Sequence, residues 1–155
     1  MRKVLSLVLA LALISAAVPG AVRGREAKYV GGTISALQEN TEGLFELGDT
    51  AAMFKTKKGE VKFTIPFDKI ETLEYGQKAG RRLGVALVVS PLFLFSKKRK
   101  HFLTVGFLDP SGNKQGAVLE LAKGIVKDTL STLETKSGKK VEYESEEAKK
   151  HAEKQ

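Results

Sequence analysis

Few side chains in this chain of 155 residues could perform chemistry. The chain has no cysteine, which excludes a disulfide scaffold, a thiolate nucleophile, an iron–sulfur cluster and a lipid-modified cysteine. Its two histidines, His101 and His151, have no metal ligand or nucleophile partner at a useful spacing in the sequence. We therefore expect no catalytic histidine and no metal site.

A group of three carboxylates, Asp68, Glu71 and Glu74, is the next candidate. Neighbouring carboxylates can act as acid and base or bind Ca²⁺. Along one extended segment, however, Asp68 and Glu74 would lie on one face and Glu71 on the other. This placement favours a solvated surface over a catalytic or Ca²⁺ site. We therefore expect a protein that is not an enzyme and that needs no cofactor.

The most distinctive segment is an apolar run bracketed by basic clusters. Thirteen uncharged residues extend from Leu83 to Phe95. As a helix they would be about 20 Å long, too short to cross a bilayer, and Pro91 would interrupt that helix. The candidate contact residues, which are the basic flanks and the apolar residues after the proline, are Arg81, Arg82, Leu92, Phe93, Leu94, Phe95, Lys97, Lys98, Arg99 and Lys100.

Three interpretations of this segment stay open. It could bend at Pro91 and place an apolar tip in a membrane interface, with its cations on headgroup phosphates at about 1 kcal/mol each. A short apolar run bounded by turn residues is more often a buried strand or core element. The run could also form an interface with a protein partner or a second copy. Exposure of residues 92–95, and a common side for the cations, would separate these cases.

The N-terminal residues have the pattern of a secretory signal peptide. Arg2 and Lys3 precede an uncharged run from Val4 to Val18, and small residues follow. Cleavage is expected after Ala17 or Gly24, although an uncleaved anchor stays open. Starting the chain at Arg25 lowers the net charge from +8 to +5. We expect an exported protein, periplasmic or extracellular, whose basic excess suits an anionic surface such as lipid headgroups or envelope polymers, and not nucleic acid.

Alternation with period two predicts strands over most of the remaining chain. The predicted strands are Tyr29–Ser35, Leu44–Leu47, Ala51–Thr56, Val61–Phe67 and Ile70–Tyr75, followed by a hairpin of Leu103–Phe107 with Ala117–Leu121. Apolar residues from Ala122 to Leu133 then recur with helical spacing, and Gly138 is a suitable left-handed cap. Val141–Tyr143 is a short extended piece. Glu144–Gln155 is highly charged, and we expect a solvated or frayed tail there.

These elements describe a small, mainly β domain with one amphipathic C-terminal helix. Six or seven strands and one helix predict a strongly bent sheet, or partly open barrel, that the helix caps. We divide the chain into a signal peptide at 1–24, a single domain at 25–143 with an insertion at 77–100, and a tail at 144–155.

The order of motifs resembles the GRAM-like and bacterial pleckstrin-homology-like families over residues 29–133. A glycine–leucine strand (Gly43-Leu44-Phe45-Glu46-Leu47) precedes a strand ending at Phe54, and Ile65-Pro66 then leads into a strand around Ile70. The resemblance implies a module that binds phosphoinositides, peptides or partner proteins. Phosphoinositide-binding members use a basic loop between their first two strands, whereas Gln38–Gly43 is acidic here, which argues against that site.

Together, these patterns predict an exported, non-enzymatic binding module. It would attach to an anionic membrane surface through the apolar segment and its basic flanks. The alternative is a protein-interaction or envelope structural module that docks a partner or a second copy through the same segment or through a sheet edge.

Overall fold

The structure, a computed structural model, describes residues 26–77 and 100–154. The strands are β1 (Glu26–Gly32), β2 (Thr41–Leu47), β3 (Ala51–Thr56), β4 (Val61–Pro66), β5 (Ile70–Gly76), β6 (Phe102–Leu108), β7 (Lys114–Leu121) and β8 (Val141–Tyr143). Two helices follow β7, α1 (Val126–Ser137) and α2 (Glu146–Glu153), with β8 between them. The mainly β prediction is confirmed.

Within the described residues, the eight strands form one open sheet in the order β4-β3-β2-β1-β7-β6-β5-β8. One antiparallel run contains β1 to β4, a second contains β5 to β7, and pairing of β1 with β7 joins the two. The C-terminal strand β8 lies parallel to β5 at one edge. The predicted hairpin of β6 and β7 is confirmed, and Asp109 closes its turn by accepting hydrogen bonds from the backbone of Ser111 and Asn113, both at 2.9 Å.

Alternate side chains of both runs form a single core. Phe45, Phe54, Leu73 and Leu103 are each completely buried and belong to one contact cluster, so the sheet wraps around a common interior. Helix α1 closes this interior with Val126, Leu130 and Leu133. Truncating one such buried Phe or Leu to Ala typically costs about 2–5 kcal/mol, which is why the period-two pattern specifies the fold so strongly.

The ends of helix α1 agree only partly with the sequence pattern. Gly138 has φ of 69° and its backbone N–H donates to the carbonyl of Glu134, as expected of a left-handed cap. The predicted start at Ala122 is wrong, because Gly124 has φ of 91°, a conformation that cannot continue a helix. The Ala122 N–H instead donates to the Glu26 carbonyl at 3.2 Å, which extends the contact between β7 and β1.

The charged C-terminal residues are a second difference from the prediction. They form helix α2, where we expected a solvated or frayed tail. Ser145 caps the helix by accepting from the Ala148 N–H at 3.2 Å, and Ala148 and Ala152 are both 2% exposed. Two alanines four residues apart make a narrow buried stripe, which a charge-dominated composition conceals.

Candidate binding surface

Nine of the ten predicted contact residues lie outside the described residues: Arg81, Arg82, Leu92, Phe93, Leu94, Phe95, Lys97, Lys98 and Arg99. Their joint exposure therefore stays a prediction. Both residues at which their segment joins the sheet, Gln77 and Lys100, are described. Gln77 and Lys100 are the two points at which the segment is attached to the sheet.

The two ends of the β5–β6 connection lie side by side. Gly76, the last residue of β5, is directly opposite Phe102, the first residue of β6. Neighbouring strands are about 4.8 Å apart, so the chain leaves and re-enters the sheet at almost the same place. Glu144 fixes the departing end: its carboxylate accepts from the Gln77 N–H at 2.7 Å, and its own N–H donates to the Tyr75 carbonyl at 2.9 Å.

The returning end is held by an ion pair. The Lys100 ammonium donates to the Glu120 carboxylate on β7 at 3.0 Å. The side chains of Lys100 and Glu120 are only 21% and 23% exposed, so solvent screens this pair less than a fully exposed one. The charge of Lys100 is thus already partnered within the protein, whereas the sequence analysis assigned it to the membrane or partner contact.

This ion pair begins a row of alternating charges across the sheet. Glu120 is opposite Lys28 on β1, and Lys28 is opposite Glu42 on β2. Lys57, after β3, donates to the Glu42 carboxylate at 2.7 Å. That hydrogen bond, the charge of Lys57 and then the charge of Lys28 lower the pKa of Glu42. Cross-strand pairs of opposite charge stabilise this face and fix its register.

An open cleft of about 340 Å³ lies over the same row. Its lining consists of Glu26, Ala27, Lys28, Glu42, Gly43, Lys57, Glu120, Leu121 and Ala122. Gly43 is required at its floor, because a Cβ there would lie 2.2 Å from the Lys55 carbonyl oxygen. The lining contains three carboxylates, Glu26, Glu42 and Glu120, and two lysines, Lys28 and Lys57, so its charges largely compensate one another.

A hydrogen-bonded pair of a tyrosine in β5 and a histidine just before β6 lies beside the connection. The Tyr75 hydroxyl and the His101 Nδ1 are hydrogen-bonded at 2.5 Å, and their rings stack with an interplanar angle of 15°. Tyr143, on β8, packs edge-on against Tyr75 with ring centroids 6.0 Å apart. This pair was not anticipated from the sequence, because 26 residues separate its members. It could have been predicted only from the pairing of β5, which contains Tyr75, with β6, which His101 directly precedes.

The electrostatics of this pair favour neutral forms. Burial raises the pKa of Tyr75 to about 12. Burial also lowers the pKa of His101, assisted by the positive charges of His151 and Lys123 and opposed by Glu120. The chain's two histidines therefore repel each other when both are protonated. A neutral tyrosine bonded to a neutral histidine is a structural contact at the end of two strands.

The carboxylates at 68, 71 and 74 do not form a joint site. Asp68 lies in a short 3-10 turn, Phe67–Lys69, and so does not share a strand face with Glu74 as the sequence suggested. Asp68 and Glu71 are both exposed. Across residues 26–77 and 100–154, we find no cluster of three histidine, cysteine or acidic side chains placed to hold a metal ion.

Comparison with known proteins gives no family. No protein-family profile matches the sequence, and no curated protein is significantly similar to it.

Neither α1 nor α2, the helices of residues 26–77 and 100–154, is long and apolar enough to cross a bilayer. Within these residues the surface offers a row of compensated charges and a tightly anchored connection.

Proposed function

We propose that the chain is an exported, non-enzymatic binding module of pleckstrin-homology-like architecture. It attaches to an anionic membrane surface through the connection between β5 and β6. The observation that carries the proposal is the pairing of Gly76 with Phe102, which returns the connection to the place where it left the sheet.

The strand order supports the pleckstrin-homology-like assignment. A run of four antiparallel strands and a run of three wrap around one core, and a helix after the seventh strand closes that core. The residues that carry the family resemblance lie in the core or at the end of a strand. Phe45 and Ile65 are completely buried, and Pro66 ends β4 before the turn into β5. The described sheet is open, and a second helix, α2, follows α1, whereas the sequence predicted one C-terminal helix.

The anchored ends support a shared position for the basic clusters. Arg81 and Arg82 follow Gln77 by four and five residues, and Lys97 to Arg99 precede Lys100 by at most three. A chain spans at most about 3.6 Å per residue, so Arg82 lies within about 18 Å of Gln77. The proposal therefore assigns the five cations to one end of these two neighbouring strands. Like charges so close together are stabilised by an anionic partner.

The affinity that such a cluster provides is substantial at low salt. Each basic residue near an anionic leaflet contributes about 1 kcal/mol, and salt screens the attraction within a Debye length of about 10 Å at 0.1 M. Lys100 adds little to this sum because Glu120 already neutralises it. Attachment is therefore expected to depend strongly on ionic strength.

Vesicle co-sedimentation tests the proposal. One variant replaces Arg81, Arg82, Lys97, Lys98 and Arg99 by Gln. The matched control replaces five exposed lysines elsewhere, Lys58, Lys114, Lys139, Lys140 and Lys149, by Gln, so that both variants lose the same charge. We expect wild type to bind phosphatidylglycerol vesicles in preference to phosphatidylcholine vesicles, and the first variant to bind at least about tenfold more weakly. Equal loss in both variants would contradict a localised site.

One observation favours a second candidate function, the docking of a protein partner at a sheet edge. β4 is the last strand at one end of the described sheet, and Val61 at its start is 48% exposed. An exposed edge can accept an extended segment as an additional strand. A substitution of Thr64 by Pro would block such pairing, and a partner lost in that variant alone would support this alternative.

A further inference from the structure

The last part of the chain is attached along one edge of the described sheet. β8 has three residues and lies parallel to β5, with Leu73 opposite Val141 and Tyr75 opposite Tyr143. Parallel pairs are slightly less stable per residue than antiparallel pairs, so this short ladder is a weak attachment. Helix α2 begins shortly after β8, and we call residues 141–153 the C-terminal strap.

The strap contributes small side chains to the core. Its buried residues are Val141, Ala148 and Ala152, whereas the central strands β2 and β3 bury Phe45 and Phe54. Burial stabilises in proportion to the apolar area that is removed from water, and an alanine removes much less than a phenylalanine. Segments with little buried apolar area open at a lower free energy than the whole fold. We therefore expect the strap to detach more easily than β2 or β3.

Tyr75 connects the strap to a histidine. Its ring packs edge-on against Tyr143 of the strap, with centroids 6.0 Å apart, and stacks on His101, with centroids 6.1 Å apart. Its backbone carbonyl accepts from the Glu144 N–H at 2.9 Å, and its hydroxyl is hydrogen-bonded to the His101 Nδ1 at 2.5 Å. A change at His101 therefore reaches the strap through one side chain.

Protonation of His101 changes this contact. A neutral His101 accepts the Tyr75 hydroxyl proton at Nδ1. A protonated imidazole carries hydrogen on both ring nitrogens, so the hydroxyl must turn its proton away and accept from Nδ1 instead. Burial also disfavours the charged form of His101 and lowers its pKa. The docked strap is therefore matched to a neutral His101.

Other charges around His101 come from neighbouring elements. His151, on α2, and Lys123, after β7, lower the pKa of His101 through their positive charges. Glu120, on β7, raises this pKa and is itself bonded to Lys100. Of these groups, only His151 belongs to the strap. When the strap detaches, the charge of His151 leaves with it, so the pKa of His101 rises.

We propose that mild acid releases the C-terminal strap from β5. The detached state binds a proton at His101 more readily than the docked state does. Its population therefore grows as the pH falls below the ordinary histidine pKa of about 6.5, and the growth ends below the lowered pKa of the docked state. A difference of one pKa unit corresponds to about a tenfold change in the ratio of detached to docked molecules.

Release uncovers a second strand edge. The backbone of β5 pairs with β6 on one side and with β8 on the other. Without β8, β5 is the last strand of the described sheet and can accept an extended segment as an additional strand. The switch involves no lipid and none of the five cations, so it is independent of the proposed function.

Hydrogen exchange of the full chain at pH 7 and pH 5 tests the switch. Measured rates are divided by the intrinsic rates at each pH, because chemical exchange itself depends on pH. We expect the protection of amides at 141–153 to fall by about threefold or more at pH 5, while that of β2 changes little. The double variant His101→Gln/His151→Gln should keep its strap protection within about 1.5-fold.

Three results would overturn the proposal. Equal strap protection at both pH values would mean that the strap stays docked. An equal fall in β2 would mean that the whole domain unfolds in acid. An equally steep fall in the double variant would mean that groups other than the two histidines respond to pH.

Cysteine accessibility gives a measurement that needs no histidine variant. The chain has no cysteine. Ala148→Cys places a thiol at a buried position of α2, and Lys149→Cys places one at an exposed position. Thiols titrate near pH 8.5 or above when buried, so the ratio of the two alkylation rates is insensitive to thiolate formation below pH 7. We expect the rate at 148 relative to 149 to rise about threefold or more from pH 7 to pH 5. A constant ratio would contradict release.

Discussion

The Tyr75 hydroxyl and the His101 ring nitrogen are hydrogen-bonded across the ends of β5 and β6, beside the point where the connection leaves and re-enters the sheet. The Lys100–Glu120 ion pair and the hydrogen bond from the Gln77 N–H to Glu144 lie at the same two ends of the connection. Under the proposed function, these adjacent ends bring the two basic flanks to one place on the surface.

Acid should weaken the fold through His101. Its pKa is lowered in the folded protein, mainly by burial, so folding favours the neutral ring. This contribution is present above the ordinary pKa of about 6.5 and is lost as pH falls through the lowered value. We expect the unfolding temperature of wild type to fall between pH 7 and pH 5 more steeply than that of His101→Gln. Parallel curves would contradict the argument.

Removing the second histidine should move the first one's titration. His151 contributes positive charge that lowers the pKa of His101. In His151→Gln that charge is absent, so the pKa of His101 should rise towards its ordinary value. Chemical-shift titration of the ring by NMR measures this. An unchanged His101 pKa would show that α2 does not bring the two rings close in solution.

Alkali should weaken the fold through the tyrosines. Burial raises the pKa of Tyr75 to about 12, and the pKa values of Tyr29 and Tyr143 are also raised by burial. Folding therefore favours the protonated phenols, and this stabilisation is lost as pH rises from about 10 towards 12. Absorbance titration should show Tyr75 ionising late, and Tyr75→Phe should remove that last step. Ionisation of all three tyrosines near pH 10 in the folded protein would contradict this.

Lys100 should contribute less to vesicle binding than its neighbours in the basic cluster. Its ammonium is paired with Glu120 at 3.0 Å. We expect Lys100→Gln to change the vesicle partition coefficient by less than about twofold, and Lys98→Gln to reduce it by several-fold. The reverse order would show that the ion pair opens on the membrane.

The C-terminal helix should be part of the folded unit. Ala148 is 2% exposed, and Ala148→Asp would place a charge in its buried position. We expect a loss of about 1–3 kcal/mol in the free energy of unfolding, measured with urea. The neighbouring control Lys149→Asp, on the exposed face, should cost less than about 0.5 kcal/mol. Equal effects would mean that α2 is not docked.

Much of the fold could be predicted from the sequence because one face of each strand is buried. Phe45, Ile65 and Leu103 alternate with polar residues, and a one-residue slip would expose them. Prediction from the local sequence pattern fails at small residues such as alanine, because they contribute little hydrophobicity to the pattern. Ala122 fits helical spacing but lies in a turn that the left-handed Gly124 dictates, and the alanines of α2 are concealed among charges.

The surface was harder to predict than the fold, because it depends on strand register. The pairing of Gly76 with Phe102 and the bond between Tyr75 and His101 join residues about 26 positions apart, and no local pattern encodes them. The same holds for the Lys100–Glu120 pair. The basic clusters were visible as composition, whereas the pairing of Lys100 with Glu120 was not.

The central claim is that five cations at the base of one connection attach the protein to an anionic surface. The most direct measurement is the partition coefficient on phosphatidylglycerol vesicles, at low and high salt, of wild type and the five-cation variant. The account predicts strong binding by wild type at low salt, release at high salt, and a loss of about tenfold or more in the variant. Wild type that stays in the supernatant at low salt, or a variant that binds equally well, would contradict it.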